Sequence, residues 1–317
     1  MRLLTMQATH VPVMTREALA ALAVRPGGRY VDCTAGGGGH ARAILEAASP
    51  GGSLVGIDLD PQALEMARER LEEFGEAVRL VEGNFRQVGE ICREIDFAPV
   101  HGVLFDLGMS SLQVEEEERG FSFRREGPLD MRFSRREAPT AADIVNEYSE
   151  EELAELLRRY GEQPRSRRIA RRIVEMRPLS TTTQLAKAIE QAVGRGARNK
   201  SHPATRTFQA LRIAVNQELE NLAAALPQAH GLLGFGARIA VISYHSLEDR
   251  LVKEYLQRES RDCVCPPGTP VCICGHRATL RLVTRGAVKP SQDEIAANPR
   301  SRSARLRAAE RADAAAG

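Results

Sequence analysis

The sequence has no long apolar segment. No stretch approaches the roughly 18 uninterrupted apolar residues that indicate a membrane-spanning helix. Residues 1–7 are too short and too polar a segment for a secretory signal peptide. These absences argue against a membrane protein, so we expect a cytoplasmic protein with no membrane partner.

The chain also lacks a strong net charge of either sign. Its 44 lysines and arginines are balanced by 42 acidic residues, which leaves a formal charge of +2 and a pI near 8.3. Such a balance does not by itself indicate a nucleic-acid partner, so the distribution of charge is more informative. With 317 residues, 43% hydrophobic and 27% charged, the composition is that of a globular protein with a large core. One large domain, or one domain with an insert, fits this length.

Cysteines are few, and a cytoplasmic location predicts thiols or metal ligands in place of structural disulfides. Of the six, Cys33 and Cys92 fall in a predicted strand and a predicted helix, where we expect them in the core. The other four form two C-x-C pairs: Cys263 with Cys265, and Cys272 with Cys274. Four soft ligands are typical of zinc, but structural zinc sites usually space paired cysteines by two or more residues. A compact turn with inward-packed thiols is the alternative, and the sequence assigns no metal ligand.

A glycine run between two apolar strands is the most informative feature. A strand at residues 30–34 leads into Gly36–Gly39 and a predicted helix, and a second strand at residues 54–57 ends at Asp58. Glycines let the turn adopt positive φ and let a ligand lie against backbone, while the helix start offers unpaired N–H groups. An acid at the end of the second strand is placed to accept the hydroxyls of a ribose. The pattern predicts a βαβ unit that binds an adenosine-like ligand, although glycine runs also occur as plain flexible turns.

Two ligand classes fit this loop. Gly36, Gly38 and Ala41 satisfy the G-x-G-x-x-A dinucleotide pattern. However, Asp32 stands in the first strand, where a carboxylate suits a methionine ammonium and repels a pyrophosphate. The third strand, Val78–Glu82, leads to Asn84 and Phe85, an amide and a ring beside an adenine, and a fourth strand at residues 101–105 ends at Asp106. These features favour S-adenosylmethionine over a dinucleotide.

Strand and helix patterns alternate over residues 10–111, become helical over residues 140–200, and return to a strand at residues 237–243. A single helix is predicted at residues 205–226. We therefore predict an α/β fold: a Rossmann-like class I S-adenosylmethionine-dependent methyltransferase domain over residues 1–112 and 206–317. A small all-α domain for substrate recognition is inserted at residues 113–205. The basic tail at residues 298–307 has the composition of a disordered segment.

Arginines concentrate in the predicted insert. Eight lie within twenty residues: Arg158, Arg159, Arg165, Arg167, Arg168, Arg171, Arg172 and Arg177. Guanidinium groups bind phosphate through two hydrogen bonds, so a helix face carrying Arg168 and Arg172 is a candidate clamp for an RNA backbone. The basic stretch continues through Arg195, Arg198, Lys200 and His202. The alternative is a solvated helix face with ion pairs along it.

Several long motifs occur together. They are HVPVM at residues 10–14, the glycine loop with His40, DLGMSSLQ at 106–113, RGFSF at 119–123, GPLDMR at 127–132 and SYHSLEDR at 243–250. In these motifs the chain resembles the RsmH (MraW) methyltransferases, from about His10 to about Arg307. The resemblance implies methylation of N4 of one cytidine in the decoding region of 16S ribosomal RNA, within the small ribosomal subunit.

The resemblance also implies site residues. The cofactor contacts it transfers are Gly38, Gly39, His40, Asp58, Phe85, Asp106 and Gln113. Of these, Gln113 has no support from the residues themselves. The cofactor implied is S-adenosylmethionine. For the basic tail at residues 298–307, the similar arginine pattern of the family implies docking to RNA or a subunit as the alternative to disorder.

Chemistry provides further candidates. An exocyclic cytosine amine is a poor nucleophile, and a hydrogen-bond acceptor beside it helps remove its proton. Asp106 is the first candidate for this catalytic role, although it alternatively holds the methionine part of the cofactor. The resemblance implies His245 as the second catalytic candidate and Tyr244 as a substrate contact, and their position after the fifth strand, together with Ser246 and Asp249, agrees with it. The alternative for the segment is a helix cap at Ser246.

A flipped-out cytidine needs a stacking surface and a group that reads its base edge. Phe121, Phe123 and Arg132 are suitable types for a base pocket, and a core hinge is their alternative. Two other functions remain open: an NAD-dependent oxidoreductase, and a non-catalytic ribosome-assembly factor that binds RNA. The sequence also leaves open whether free RNA or the assembled subunit is the substrate, and whether the protein is a monomer or a homodimer.

Overall fold

The computed structural model describes residues 12–109, 117–134, 139–194 and 202–312. The chain forms two compact units. The first combines Met1–Gly108 with Asn221–Gly317, and the second is Met109–Glu220.

The helices are numbered in chain order within the described residues. They are α1 Thr15–Leu22, α2 Gly39–Ala48, α3 Pro61–Leu71, α4 Val88–Glu94, α5 Ala141–Glu147, α6 Glu150–Gly161, α7 Ser166–Glu175, α8 Thr182–Val193, α9 Ala204–Asn216, α10 Glu218–Leu232, α11 Ser246–Glu259 and α12 Gln292–Ala297. Short 3-10 turns lie at Glu72–Ala77, Phe85–Gln87, Glu117–Arg119 and Pro299–Ser303.

A seven-stranded sheet forms the centre of the first unit, in the order β3-β2-β1-β4-β5-β7-β6. Its strands are β1 Arg29–Asp32, β2 Ser53–Asp58, β3 Val78–Glu82, β4 Val100–Asp106, β5 Leu233–Ser243, β6 Leu280–Leu282 and β7 Arg305–Arg311. The first five strands are parallel, and β7 runs antiparallel between β5 and β6. Because β1 and β4 are neighbours while the chain passes from β1 to β2, their carboxyl ends form a crevice of the kind that binds ligands in open α/β sheets.

Alternate residues of the strands face opposite sides of the sheet. Tyr30 of β1 and Leu104 of β4 belong to an apolar cluster that includes residues of α1, α2 and α3. Their neighbours Val31 and Phe105 belong to a second cluster, with residues of α4, α10 and α11. Helices therefore cover both faces, as a buried parallel sheet requires. The predicted α/β, Rossmann-like fold is confirmed, and Cys33 and Cys92 are buried as predicted.

The predicted helix at residues 205–226 is wrong in one respect. Helix α9 ends at Asn216, Gln217 adopts a left-handed conformation with φ 49°, and α10 begins at Glu218. Asn216 explains the break, because its side chain accepts a hydrogen bond from Phe133 N–H at 2.7 Å and donates one to the Met131 carbonyl at 2.8 Å. Strand β5 also begins four residues earlier than predicted, at Leu233 rather than residue 237.

The basic tail is ordered, which corrects the expectation from its composition. Leu306 and Ala308 of β7 are buried in the sheet. The guanidinium of Arg307 binds Asp249 at 2.6 and 3.1 Å, and Arg305 binds the same carboxylate at 3.0 Å. Burial raises the pKa of Asp249, but these two arginines outweigh burial and lower it. The arginine pattern of the tail therefore has a structural role in holding β7 against α11.

The second unit is a helical bundle. Apolar side chains of α5 to α9 form one core, which includes Leu153, Ile169, Ile189 and Leu211. Helix α9 belongs to this core, so the compact units divide at Gly108 and Glu220, whereas the predicted boundaries are residues 112 and 205. The difference arises because the buried face of α9 packs against α6.

None of the helices within the described ranges combines the length and apolar character needed to cross a membrane.

Candidate active site

The glycine loop has the conformation that its sequence predicts. Gly36 has φ +50° and Gly38 has φ +78°, a region of backbone conformation that glycine adopts without strain. The loop also lies close to its neighbours. A Cβ atom on Gly38 would stand 3.2 Å from the Cα of Ala67, and one on Gly39 would stand 3.1 Å from Pro12. The run is therefore a tightly packed turn, and α2 begins at its end with no side-chain cap over the first N–H groups.

Asp58 is fixed against this loop by backbone hydrogen bonds. Its Oδ2 accepts from Gly36 N–H at 2.7 Å, and its Oδ1 accepts from Asp60 N–H at 2.9 Å. Burial raises the pKa of Asp58 to about 6, although these two N–H groups act in the opposite direction. The carboxylate ends β2 beside the glycines and keeps lone pairs for a further donor, as a ribose acceptor requires.

Asp32 has an unpartnered oxygen in the interior. It is fully buried; its Oδ1 accepts from Thr34 N–H at 3.1 Å, while its Oδ2 has no hydrogen-bond partner among the described residues. Burial raises its pKa to about 6. A buried carboxylate oxygen without a partner is costly, so such a group in a binding crevice indicates a ligand that supplies a positive charge or a donor.

Asp106 connects three elements at the end of β4. Its N–H donates to Thr34 Oγ1 at 2.7 Å, and its Oδ1 accepts from the hydroxyl of Tyr244 at 2.7 Å. Its Oδ2 lies 3.3 Å from Nε2 of His40. Burial, together with the Asp106 carboxylate, raises the pKa of Tyr244, which keeps its hydroxyl protonated as a donor. The side chain of Asp106 remains 17% exposed, so a substrate atom can reach it.

His40 lies between two carboxylates. Burial lowers its pKa, but Asp106 and Asp32 outweigh burial and raise it. Its Nε2 is close enough to Asp106 for electrostatic attraction, but the orientation is not that of a hydrogen bond. The predicted loop residue is thus in place, and its ring is part of the charge balance around Asp106.

Thr34 is a site residue that the sequence did not single out. It donates its N–H to Asp32, and its hydroxyl accepts from Asp106 N–H, so one residue sets the positions of both acids. The only signal available was its place between the strand and the glycines, where a small hydroxyl side chain is also common in ordinary turns.

Phe85 and Asn84 follow β3 as predicted. The ring of Phe85 packs edge-on against Phe105, with centroids 5.7 Å apart. Asn84 caps the short turn that follows, because its Oδ1 accepts from Arg86 N–H at 2.9 Å. Phe85 remains half-buried and available to a flat ligand, while the carbonyl of the Asn84 amide is used locally.

His245 begins α11. His245 is the N-cap residue of this helix, so the prediction of a cap at Ser246 is wrong by one residue. Its Nδ1 accepts from Glu248 N–H at 3.3 Å, and its Nε2 lies 3.1 Å from Glu248 Oε1. Glu248 in turn accepts from Tyr244 N–H at 2.8 Å and so positions that residue. The catalytic role of His245 stays a prediction. Asp249 is held by the arginines of β7, so it does not join this group.

The predicted base-pocket residues have partners within the second unit. Phe121 stacks on Phe133 with centroids 5.6 Å apart, and Phe123 stacks on His202 with centroids 4.5 Å apart. Arg132 binds Asp130 through two hydrogen bonds of 2.8 and 2.9 Å. These contacts agree with the core-hinge alternative, and a role in binding a base stays a prediction.

The arginines of α7 differ in their surroundings. Arg172 binds Glu175 and Gln191. Arg168 is exposed and has no acidic partner in the part of the chain that the structure describes. Four residues of the sequence predictions lie outside the described residues: Gln113, Arg195, Arg198 and Lys200. Of the predicted pair, Arg172 is therefore partly engaged, and Arg168 presents a guanidinium without an acidic partner among the described residues.

Comparison with known proteins identifies the family. The model of the MraW methylase family matches residues 7–312. The chain belongs to this family. Ribosomal RNA small subunit methyltransferase H of Dehalococcoides mccartyi is 58% identical over 302 residues, 95% of this chain and 86% of that protein. The protein of the same name from Thermomicrobium roseum is 56% identical over 306 residues, 96% of this chain and 94% of its own. Among solved structures, an rRNA methylase from Streptococcus thermophilus has a TM-score of 0.42 at 12% identity, over 95% of each chain.

The predicted resemblance to the RsmH (MraW) family is thereby confirmed, and a methylase replaces the oxidoreductase alternative. S-adenosylmethionine is the cofactor of this MraW methylase, as predicted. The residues present fit it: the unpartnered Oδ2 of Asp32 suits the cationic methionine end, and Asp58 beside the glycines suits the ribose. Bound there, the cofactor supplies an electrophilic methyl group.

Proposed function

We propose that this MraW methylase transfers a methyl group from S-adenosylmethionine to N4 of one cytidine in 16S ribosomal RNA of the small subunit. Two lines support the substrate. The similar proteins of Dehalococcoides mccartyi and Thermomicrobium roseum are named ribosomal RNA small subunit methyltransferase H. The motifs at Asp106 and Tyr244 are among those that the chain shares with the RsmH family.

The hydrogen-bonded pair of Asp106 and Tyr244 is the observation on which the reaction type rests. The lone pair of a cytosine amine is delocalised into its ring, so the amine needs an acceptor for its proton as it attacks. Asp106 provides a carboxylate at the end of β4, and the Tyr244 hydroxyl binds its Oδ1 at 2.7 Å. Each carboxylate oxygen has two lone pairs, so Asp106 can bind Tyr244 and still accept from the amine.

Positioning is the second contribution of the protein. Reaction at a methyl group requires the nucleophile to approach in line, so small displacements of the acceptor are costly. The carboxylate is bound by Tyr244, its own backbone N–H is bound by Thr34, and Tyr244 is itself held by Glu248. Asp106 is therefore fixed from two strands and one helix before substrate arrives.

The arginines of α7 are the proposed contact to the RNA backbone. Arg168 is exposed without an acidic partner among the described residues, and Arg172 lies four residues further along the same helix. Residues four apart are neighbours on one helix face, so both guanidinium groups can approach the same stretch of RNA backbone. Their contact is with backbone, so it adds affinity without reading the sequence.

The test uses small ribosomal subunits from cells that lack the modification. The protein is incubated with these subunits and S-adenosylmethionine labelled in the methyl group, and the RNA is digested to nucleosides for mass spectrometry. We expect label in N4-methylcytidine and in no other nucleoside. Parallel reactions with free 16S RNA show whether the assembled subunit is required.

Other outcomes would redirect the proposal. Label in 5-methylcytidine or a 2′-O-methyl nucleoside would keep the methylase and overturn the N4 assignment. Absence of label, with the cofactor bound in calorimetry, would favour the RNA-binding assembly factor. Asp106→Ala is the control for specific transfer, because it removes the acceptor and leaves the glycine loop unchanged.

A further inference from the structure

A cysteine-rich loop connects α11 to β6. It contains Cys263, Cys265, Cys272 and Cys274. All four are free thiols; three are exposed, and Cys265 is half-buried. The side chains of Val271 and Ile273 between them are 72% and 84% exposed. The thiols are therefore not packed in an apolar interior, which corrects the alternative of a compact turn with inward-packed thiols.

The four sulfur atoms nevertheless converge on one point. All of the Sγ atoms lie within 4.8 Å of one another. Three of the pairs are Cys265 with Cys272 at 4.0 Å, Cys272 with Cys274 at 3.5 Å, and Cys274 with Cys263 at 3.9 Å. In a tetrahedral site with Zn–S bonds of about 2.3 Å, the sulfur atoms stand roughly 3.8 Å apart. The observed separations lie around this value.

Other reasons for the convergence are weaker. A disulfide requires sulfur atoms about 2.05 Å apart, far closer than any separation seen here. Hydrophobic packing does not gather exposed thiols, because little apolar area is removed from water. A backbone donor also points at the cluster, since Val264 N–H donates to Cys274 Sγ at 3.4 Å. Such donors stabilise thiolate ligands in metal sites.

We propose that Cys263, Cys265, Cys272 and Cys274 bind one zinc ion. The ligands are four thiolates, and binding releases their protons to solvent. The coordination is closed, because all four positions of a tetrahedral ion are occupied by protein, so the site is structural. Each arm contributes two sulfurs despite the short C-x-C spacing, because the chain turns back between the arms. Thr269 N–H donates to the Pro266 carbonyl at 3.2 Å, and Pro267 and Pro270 lie in the same bend.

The zinc ion would cross-link a loop that has few other restraints. At its base, Thr279 N–H donates to the Glu259 carbonyl at 2.9 Å, and Ala278 N–H donates to Asp262 at 3.1 Å. Beyond these contacts the loop projects with exposed residues on both arms. Four bonds to one ion therefore replace the apolar core that so short a segment cannot build. The site uses none of the residues proposed for methyl transfer or for contact with RNA.

Metal analysis tests the proposal directly. The full chain is produced in zinc-supplemented medium, freed of any affinity tag, and passed through gel filtration without chelator. Zinc and iron are then measured by mass spectrometry against protein concentration. We expect about one zinc ion per chain in the parent protein. The double variant Cys263→Ser/Cys272→Ser should contain at least tenfold less zinc than the parent. The variant Cys92→Ala, which removes a core thiol outside the loop, should retain the parental zinc content.

Three results would overturn the proposal: no zinc in the parent protein, equal zinc in the double variant, or iron in place of zinc. If the double variant does not fold, the parent protein alone still decides. Titration with a mercurial reagent should release zinc as about four thiols react, and cobalt exchanged for zinc should show the intense visible bands of four-coordinate thiolate ligation. Release without thiol reaction, or a six-coordinate cobalt spectrum, would also contradict the site.

Protease digestion provides a readout of the structural role. Arg261 and Arg277 are exposed at the two ends of the loop and are targets for trypsin. The zinc-bound parent and Cys92→Ala should resist cleavage there, and the double variant should be cut at least several-fold faster at these two positions. Equal cleavage rates would show that no ion holds the loop.

Discussion

The hydroxyl of Tyr244 donates a hydrogen bond to Oδ1 of Asp106 at 2.7 Å, across 138 residues of sequence. The two side chains stand at the carboxyl ends of adjacent strands, because Asp106 ends β4 and Tyr244 follows β5. The pair brings a neutral donor and a carboxylate together beside the glycine loop.

Removing the Tyr244 hydroxyl should slow methyl transfer. Hydrogen bonds to charged groups contribute about 1.5–3 kcal/mol, so Tyr244→Phe is expected to lower the single-turnover rate roughly ten- to a hundredfold. Cofactor affinity, measured by calorimetry, should remain within about twofold because the glycine loop is unchanged. Tyr255→Phe is the matched control, because the hydroxyl of Tyr255 forms its hydrogen bond with His230 and not with Asp106. An unchanged rate in Tyr244→Phe would remove the pair from the mechanism.

Two substitutions at Asp106 separate its alternative roles. Asp106→Asn keeps the shape but loses the charge that accepts a proton, so we expect loss of at least about a hundredfold in rate. If Asp106 acts on the substrate amine, both Asp106→Asn and Asp106→Ala should bind S-adenosylmethionine with nearly parental affinity. Weakened cofactor binding in both would assign the carboxylate to the methionine part instead. Parental transfer rates in both variants would contradict both roles.

Cofactor affinity should fall in acid. The pKa values of Asp32 and Asp58 are raised by burial to about 6, so both carboxyls gain protons in the ligand-free protein as pH falls through this value. A protonated Asp32 no longer attracts a cation, and affinity should drop by up to about tenfold per pH unit for each group. Calorimetry at a series of pH values around 6 measures the affinity for S-adenosylmethionine.

Asp32→Asn should bind the cofactor more weakly at neutral pH and show a flatter pH profile. Glu65→Gln removes one exposed charge on α3 and should reproduce the parental curve. A parental profile in Asp32→Asn would mean that this carboxylate does not face the cofactor.

The same burial should cost stability in the ligand-free protein. The folded-state pKa of Asp32 lies above its ordinary value of 3.8. Its contribution to the free energy of unfolding is therefore most favourable below pH 3.8 and is lost as pH rises through about 6. Removing the charge by Asp32→Asn is therefore expected to stabilise the ligand-free protein by about 1–3 kcal/mol at neutral pH. Urea unfolding above and below pH 6 checks this, and a gain that is equal or larger in acid would contradict the assignment.

Charge reversal on α7 should weaken RNA binding alone. Arg168→Glu/Arg172→Glu is expected to lower affinity for small subunits about tenfold or more, and to reduce the salt dependence by about two phosphate contacts. Cofactor affinity should not change. The matched control is Arg158→Glu on α6, whose native guanidinium is already paired with Glu155. If the double variant and the control bind RNA with equal affinity, α7 is a solvated helix face that does not contact RNA.

The parts of the site that sequence alone predicted are local. Gly36, Gly38 and Asp58 lie within one βαβ unit, and positive φ at two of these positions restricts the residue type to glycine. The alternation of strands and helices likewise predicted the parallel half of the sheet. Predictions failed where a distant partner overrides local propensity. Gln217 favours a helix, but the bonds of Asn216 to residues 131 and 133 end α9 there.

The tail illustrates the same limit on local information. Its arginines have the composition of a disordered segment, yet Arg305 and Arg307 find Asp249 in α11, and β7 fills the place between β5 and β6. No pattern within residues 298–307 encodes that partner.

The family, the cofactor loop and the α/β class could all be predicted from sequence, because each depends on motifs or periodicities within a short span of chain. The hydrogen bond between Tyr244 and Asp106, and the bonds by which Thr34 connects Asp32 to Asp106, are seen only in the folded chain. The convergence of four cysteine thiols on one point is likewise a property of the folded chain. These contacts depend on where separate elements come together, which is set by the packing of the whole core rather than by local propensity.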